Sequence, residues 1–238
     1  MKPYFEQGGI TIYHARAEEI LPLACGSVIT DPPFGTESLG GGYGRRRNYG
    51  EGRKIVGDAN LDIVRQVAPL LWQSLPNASW LFTFCAARKM LEHGRAFEDV
   101  GFDLFGELIW DKMSPGLGYT VRYMHESILV FHKGSAIKTG KPILSIAREC
   151  VDRNTIANRH PHEKPVSILM PMMSLCDGMV LDPFMGSGST LVAAKIARRE
   201  AIGVECDERW CEITANRILN TNPLFDEPQP APQTLFEA

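Results

Sequence analysis

At 238 residues, 44% hydrophobic and 22% charged, the chain has the composition of one soluble, well-buried domain rather than of two generous ones. No apolar run approaches bilayer-spanning length and "MKPYFEQGGITIYH" lacks a signal-peptide core, which excludes a membrane span and predicts a cytoplasmic protein. A formal net charge of −3 does not announce a nucleic-acid binder, and six scattered cysteines without a CxxC pair exclude a disulfide framework and predict reduced thiols.

In chain order, "ITIYH" (10–14) reads as a strand and "ARAEEILPLA" (15–24) as a helix. The β-branched run "SVIT" (27–30) halts at Asp31-Pro32-Pro33-Phe34, because two prolines remove two N–H donors and fix two φ angles. Such an exit is either a tight turn alone or a preorganised site holding a carboxylate, a proline carbonyl and an aromatic face. Residues 36–60, rich in glycine and arginine, are too long and polar for an ordinary connection and predict a mobile functional loop. That loop carries Arg45, Arg46, Arg47, Arg53 and Lys54 against Glu51, a bias explained by a solvated loop or by phosphate contact.

A helix over 61–75, a strand over 79–84, a helix over 86–100 and strands over 104–110 and 127–133 follow. Residues 133–160 are polar and mixed, and predict a short insertion. A helix over 164–175, a strand over 179–182, a helix over 189–200 and a strand over 201–205 complete the pattern, and the Pro-rich stretch 222–238 reads as a flexible tail. Strands alternating with helices predict an α/β fold with helices on both faces of a sheet, and ligands at the carboxyl ends of its strands.

The most informative segment is "MVLDPFMGSGSTLVAAKIARREAIGVECDERW". A buried strand ends at Asp182, a turn with Gly186 and Gly188 follows, and a helix starts near Ser189. The next strand ends at Glu205, whose carboxylate is placed for ribose hydroxyls. Leu191 stands where the dinucleotide fingerprint has its third glycine, which argues against NAD. An acid facing the turn is wrong for a pyrophosphate and right for an α-amino group, pointing to S-adenosylmethionine; a structural βαβ turn is the alternative. His160 and His162 have no cysteine or carboxylate partners at zinc-like spacing, so no metal is predicted.

"DPFMGSGST" resembles the DPFxGSGT cofactor motif of amino-directed DNA methyltransferases, and "TDPPF" resembles their catalytic DPPY-type motif. "HPHEKP" (160–165) is similar to their HPxxKP motif, "HESILVFHKG" to their HEYILVFRKG strand, and "IGVECDERWCEIT" to their IGxExxxxYxxxA segment. The matches run in order from about residue 10 to 220. The catalytic motif precedes the cofactor motif, the circularly permuted order of the β class, which implies DNA as substrate. Family members commonly open with "GDC", whose Asp reaches the adenine of the cofactor; here "YHARAEE" lacks that acid.

The resemblance implies a Rossmann-like methyltransferase fold with a mostly parallel twisted sheet over residues 1–221, in which 133–160 is a short candidate target-recognition insertion. It implies transfer of a methyl group from S-adenosylmethionine to N6 of adenine in double-stranded DNA, with N4 of cytosine as the alternative. Asp31 and the Pro32 carbonyl would accept the two amino hydrogens, with Pro33 fixing the turn and Phe34 stacking on an extruded base. Asp182, Pro183, Phe184, Gly186, Ser187, Gly188 and Thr190 would surround the methionine end, with Glu205 on the ribose. Lys164 would take the cofactor carboxylate or pack its helix, Trp210 would pack its helix, and Arg45, Arg46, Arg47, Arg53 and Lys54 would meet DNA phosphates. The family suggests a homodimer, and "PQTLFEA" at the tail resembles peptides that dock on the bacterial sliding clamp. A non-catalytic DNA-binding relative and a nicotinamide oxidoreductase are the competing readings.

Overall fold

A computed structural model of the chain describes residues 1–33, 61–115, 120–135, 142–149 and 163–221. Its strands are β1 (Phe5–Gln7), β2 (Ile10–His14), β3 (Ser27–Thr30), β4 (Ser79–Cys85), β5 (Asp103–Asp111), β6 (His125–Lys133), β7 (Ile146–Arg148), β8 (Val180–Asp182) and β9 (Ala201–Glu205). They form one sheet in the order β1-β2-β9-β8-β3-β4-β6-β5-β7. The central run from β2 to β4 is parallel, whereas β6 lies antiparallel between β4 and β5.

The helices are α1 (Ala17–Ile20), α2 (Asp62–Ser74), α3 (Met90–Glu98), α4 (Val166–Leu175), α5 (Ser189–Ile196) and α6 (Glu208–Leu219). Alternate side chains of a strand point to opposite faces, so the central strands feed two cores. Val28, Leu81 and Leu181 pack with Val64, Leu71 and Phe97 of α2 and α3. Ile29, Phe82 and Val180 pack on the other face with Leu169, Leu191 and Ile218 of α4, α5 and α6. Every residue of β4 is buried, as a strand covered on both faces requires.

Each departure from the expected elements has a local cause. The first helix stops at Ile20, not 24, because Pro22 pushes Leu21 into an extended conformation (φ −69°, ψ 149°). The helix expected to reach 200 ends at Ile196 in a Schellman turn. Arg198 (φ 55°) and Arg199 donate their N–H groups to the carbonyls of Lys195 and Ala194 at 3.1 and 2.9 Å. No glycine marks that left-handed position, so the stop is invisible in the sequence. β1 was not expected; it pairs with β2 across the two-residue turn Gly8-Gly9, both at positive φ. β7 was not expected either: part of the stretch read as an insertion joins the sheet, parallel to β5. The remainder of that stretch from 150, the loop 36–60 and the tail 222–238 lie outside the described residues.

Leu191 is fully buried beside Gly203 of β9. A Cβ at Gly203 would stand 2.4 Å from Met185 Sδ and 2.8 Å from a Leu191 methyl. The close helix–strand approach that the missing third glycine would have allowed is thus achieved from the strand side. Gly203→Ala is expected to lower the unfolding free energy by about 1–3 kcal/mol through overpacking, measurable as a reduced urea midpoint at unchanged slope.

Candidate active site

Two chain segments distant in sequence end side by side in the sheet. β3 and β8 are parallel neighbours, with Val28 opposite Leu181. From this pair the chain winds outward both ways, β3 to β4 on one side and β8 to β9 on the other. The strand order therefore reverses between β3 and β8, and such a reversal opens a crevice at the carboxyl ends of the strands. Asp31-Pro32-Pro33 leaves one wall of that crevice and Asp182-Pro183-Phe184 the other.

The turn after β8 requires glycine both for its backbone shape and for its close packing on α6. Gly186 (φ 48°) and Gly188 (φ 79°) are left-handed, and a Cβ at Gly188 would meet Thr214 Cγ2 at 2.2 Å. The turn is braced from α6: the Thr214 hydroxyl donates to the Gly186 carbonyl at 3.2 Å, and Arg217 donates to the Ser187 carbonyl at 2.5 Å. Arg217 also ion-pairs with Glu163 at 3.2 Å, tying the turn to the segment before α4. Glu205, at the end of β9, accepts the N–H of Gly186 at 3.1 Å through one oxygen and that of Asp207 at 2.9 Å through the other.

Asp182 is buried, and burial pushes its carboxyl up to about 7 against the hydrogen bonds of Thr190 and of the Phe184 N–H, the latter 3.1 Å long. The nearby Asp31 carboxylate adds to the rise. A buried carboxyl held up in this way is the natural partner of a cation, and a ligand carrying an ammonium or sulfonium beside Asp182 would favour its ionised form. The deep acid, the glycine turn and the acid on the neighbouring strand fit an amino-acid nucleoside such as S-adenosylmethionine.

Lys164 is directed elsewhere. Its ammonium is 2.5 Å from Asp31 Oδ2 and 3.2 Å from Glu126 Oε2, and 5.1 Å from the centre of the Phe84 ring. Burial disfavours its charge, but Asp31 and Glu126 outweigh burial and raise its pKa. Burial likewise opposes the Glu126 carboxylate, and Lys164 and Lys112 together hold it down at about 2. Glu126 also accepts a hydrogen bond from Lys112. Sequence reasoning assigns no role to Glu126 or Lys112; the signal available was an acid in the HESILVFHKG segment, two residues ahead of the apolar run Ile128–Phe131. Phe34, Arg45, Arg46, Arg47, Arg53, Lys54, His160 and His162 lie outside the described residues. Trp210, on α6, is partly buried under the Arg209 guanidinium, 4.6 Å from its ring.

A mostly parallel sheet whose switch point carries a glycine turn, a buried acid and a carboxylate followed by two prolines defines a Rossmann-like enzyme of the nucleoside-cofactor type. The chain belongs to the DNA methylase family, whose model matches residues 27–216, and it is an S-adenosylmethionine-dependent DNA amino-methyltransferase. It is 29% identical over 194 residues to the protein YubD of Escherichia coli (strain K12), covering 80% of each chain. It is 25% identical to the type II methyltransferase M2.LlaDCHI of Lactococcus lactis subsp. cremoris, over 91% of this chain and 92% of that one. The crystal structure of the M1.HpyAVI–SAM complex superposes with a TM-score of 0.63 at 25% identity, over 88% of this chain and 99% of that one. PvuII DNA methyltransferase, cytosine-N4-specific, shares the fold with a TM-score of 0.67 at 17% identity, over 93% and 96% of the two chains.

Proposed function

We propose that this enzyme methylates N6 of adenine in double-stranded DNA and belongs to the permuted β class. The observation that carries the reading is the placement of the Asp31-Pro32 turn beside the glycine turn that follows β8. An exocyclic amino group is a weak nucleophile because its lone pair is delocalised into the ring. Asp31 accepts one N–H and the Pro32 carbonyl the other, which draws the nitrogen towards tetrahedral geometry and frees the lone pair. Pro32 and Pro33 lock that geometry and offer no competing donor. Phe34 follows at once in the chain and supplies a face for a base extruded from the duplex.

On the cofactor side, Asp182 takes the α-ammonium. The turn from Pro183 through Gly188 accommodates the methionine chain, Thr190 orients Asp182, and Glu205 meets the ribose. Bound there, S-adenosylmethionine supplies a methyl group already activated by the sulfonium. Arg45, Arg46, Arg47, Arg53 and Lys54 carry the phosphate contacts that position the duplex. Adenine is favoured over cytosine because the catalytic turn begins with Asp, where enzymes acting on cytosine N4 more often begin with Ser.

The test is incubation with labelled S-adenosylmethionine and DNA from a methylation-deficient strain, followed by nucleoside analysis. Label in N6-methyldeoxyadenosine is the expected result, and label confined to N4-methyldeoxycytidine would overturn the assignment of the base.

A further inference from the structure

Four charged side chains form a line from the catalytic turn into the sheet. Asp31 meets Lys164, Lys164 meets Glu126, and Glu126 meets Lys112, which directly follows β5. Lys164 and Glu126 are the inner members, with side chains 7% and 14% exposed. A buried ion pair is a poor way to stabilise a fold, because desolvating both charges costs as much as their attraction returns. Apolar residues would serve this core at least as well, and the ring of Phe84 already borders it. What an ion chain supplies, and an apolar cluster does not, is direction. It ties one oxygen of Asp31 to a point fixed by two other strands.

We propose that Glu126 is a positioning residue for methyl transfer: its carboxylate fixes the Lys164 ammonium against Asp31 Oδ2, so that the Asp31 carboxylate meets the target amino group in one orientation. This rests on Asp31 being the amino-group acceptor. Without Glu126, the ammonium loses the anchor that β6 supplies, and the orientation of Asp31 is less closely fixed. Lys112 anchors Glu126 in turn from the more exposed end, where its own side chain is 32% exposed. Lys164 then serves the base side of the crevice and not the cofactor carboxylate.

The experiment compares wild type with Glu126→Gln, Glu126→Asp, Lys164→Met, Lys112→Met and the Glu126→Gln/Lys164→Met pair. Labelled S-adenosylmethionine and methylation-deficient genomic DNA give kcat and KM, and calorimetry gives the affinity for S-adenosylhomocysteine. Glu126→Gln conserves size, so a packing role predicts little change; the positioning role predicts a fall in kcat of about 10- to 100-fold, the scale of a misplaced reacting group. KM for DNA and the affinity for S-adenosylhomocysteine stay within about threefold in Glu126→Gln and Lys164→Met, since neither residue holds a ligand.

Glu126→Asp recovers part of kcat, Lys112→Met shows a smaller loss, and the double variant is no slower than Lys164→Met alone, because both changes cut one chain. If Glu126→Gln does not fold, the Glu126→Asp and Lys112→Met losses, in kcat and not in KM, carry the test. An active wild type whose variants keep full kcat, lose S-adenosylhomocysteine affinity or multiply their effects would overturn this proposal alone. A wild type that transfers no methyl to DNA would overturn the role of Asp31 as well.

Discussion

Asp31→Ala is expected to abolish detectable methyl transfer while leaving affinity for S-adenosylhomocysteine within a few-fold of wild type. The catalytic loss should reach at least about 10²- to 10³-fold in kcat, the scale on which one preorganised hydrogen-bonding group contributes in a water-poor site. The asymmetry is the informative part. Asp31 stands at the exit of β3 and, on the proposed reading, serves the base side, with the cofactor on the glycine turn after β8. The variant also leaves the buried Lys164 ammonium with Glu126 as its remaining carboxylate among the pairs described above. Some loss of stability accompanies the change for that reason, and thermal melting has to be recorded beside the kinetics. Asp31→Asn keeps one carbonyl acceptor but turns the other oxygen into a donor that faces an ammonium or an amino group, so it is expected to rescue little. Undiminished transfer by Asp31→Ala would remove this residue from the mechanism.

The second large effect is a pH dependence of cofactor affinity set by Asp182. In the free protein its carboxyl is raised by burial to about 7, well above the ordinary 3.8. With the cofactor ammonium against Asp182, as proposed, the carboxylate is favoured and binding below pH 7 is expected to release a proton. Affinity for S-adenosylhomocysteine is therefore expected to rise with pH, by close to about tenfold per unit well below 7, and to level off above it. It should fall again only where the α-ammonium of the ligand itself deprotonates. Calorimetry in buffers of different ionisation enthalpy counts the proton directly, and Asp182→Asn should remove both the proton and the slope below 7. At pH 7.5 that variant is expected to bind about 10- to 100-fold more weakly, as loss of a charged hydrogen bond implies.

The sign for folding is opposite. Because the folded pKa is raised, Asp182 contributes stability that is complete below pH 4 and is lost as pH climbs from 4 to 7. Ligand-free protein should lose this contribution over that window, and cofactor should offset the loss. A flat affinity profile in wild type would mean that Asp182 does not meet the ammonium.

Length, periodicity and the turn chemistry around Asp31 and Asp182 were enough to define an α/β sheet and a nucleoside cofactor, and to nominate the ends of two strands for the site. These features are local: a proline pair stops a strand wherever it occurs, and a glycine turn between strand and helix exposes backbone N–H groups regardless of the rest of the fold. The family order of motifs added the substrate class. Local signals also located five of the six α-helices among the described residues to within a few residues, and failed where a stop had no residue of its own, as at Arg198, or where a three-residue strand owed its existence to a neighbour, as in β7.

Only the tertiary structure decided which distant groups meet. That β3 and β8 are neighbours follows from strand order, a property of the whole sheet. Lys164 sits in a motif beside the cofactor segment, and nothing in its neighbours along the chain indicates that its ammonium turns to Asp31, 133 residues earlier. A long flexible cation in a buried place goes to the nearest uncompensated anions, and those are supplied by β6 and the exit of β3. The sequence by itself therefore determined the chemistry at each strand end, and the packing of the sheet decided which charges share the crevice.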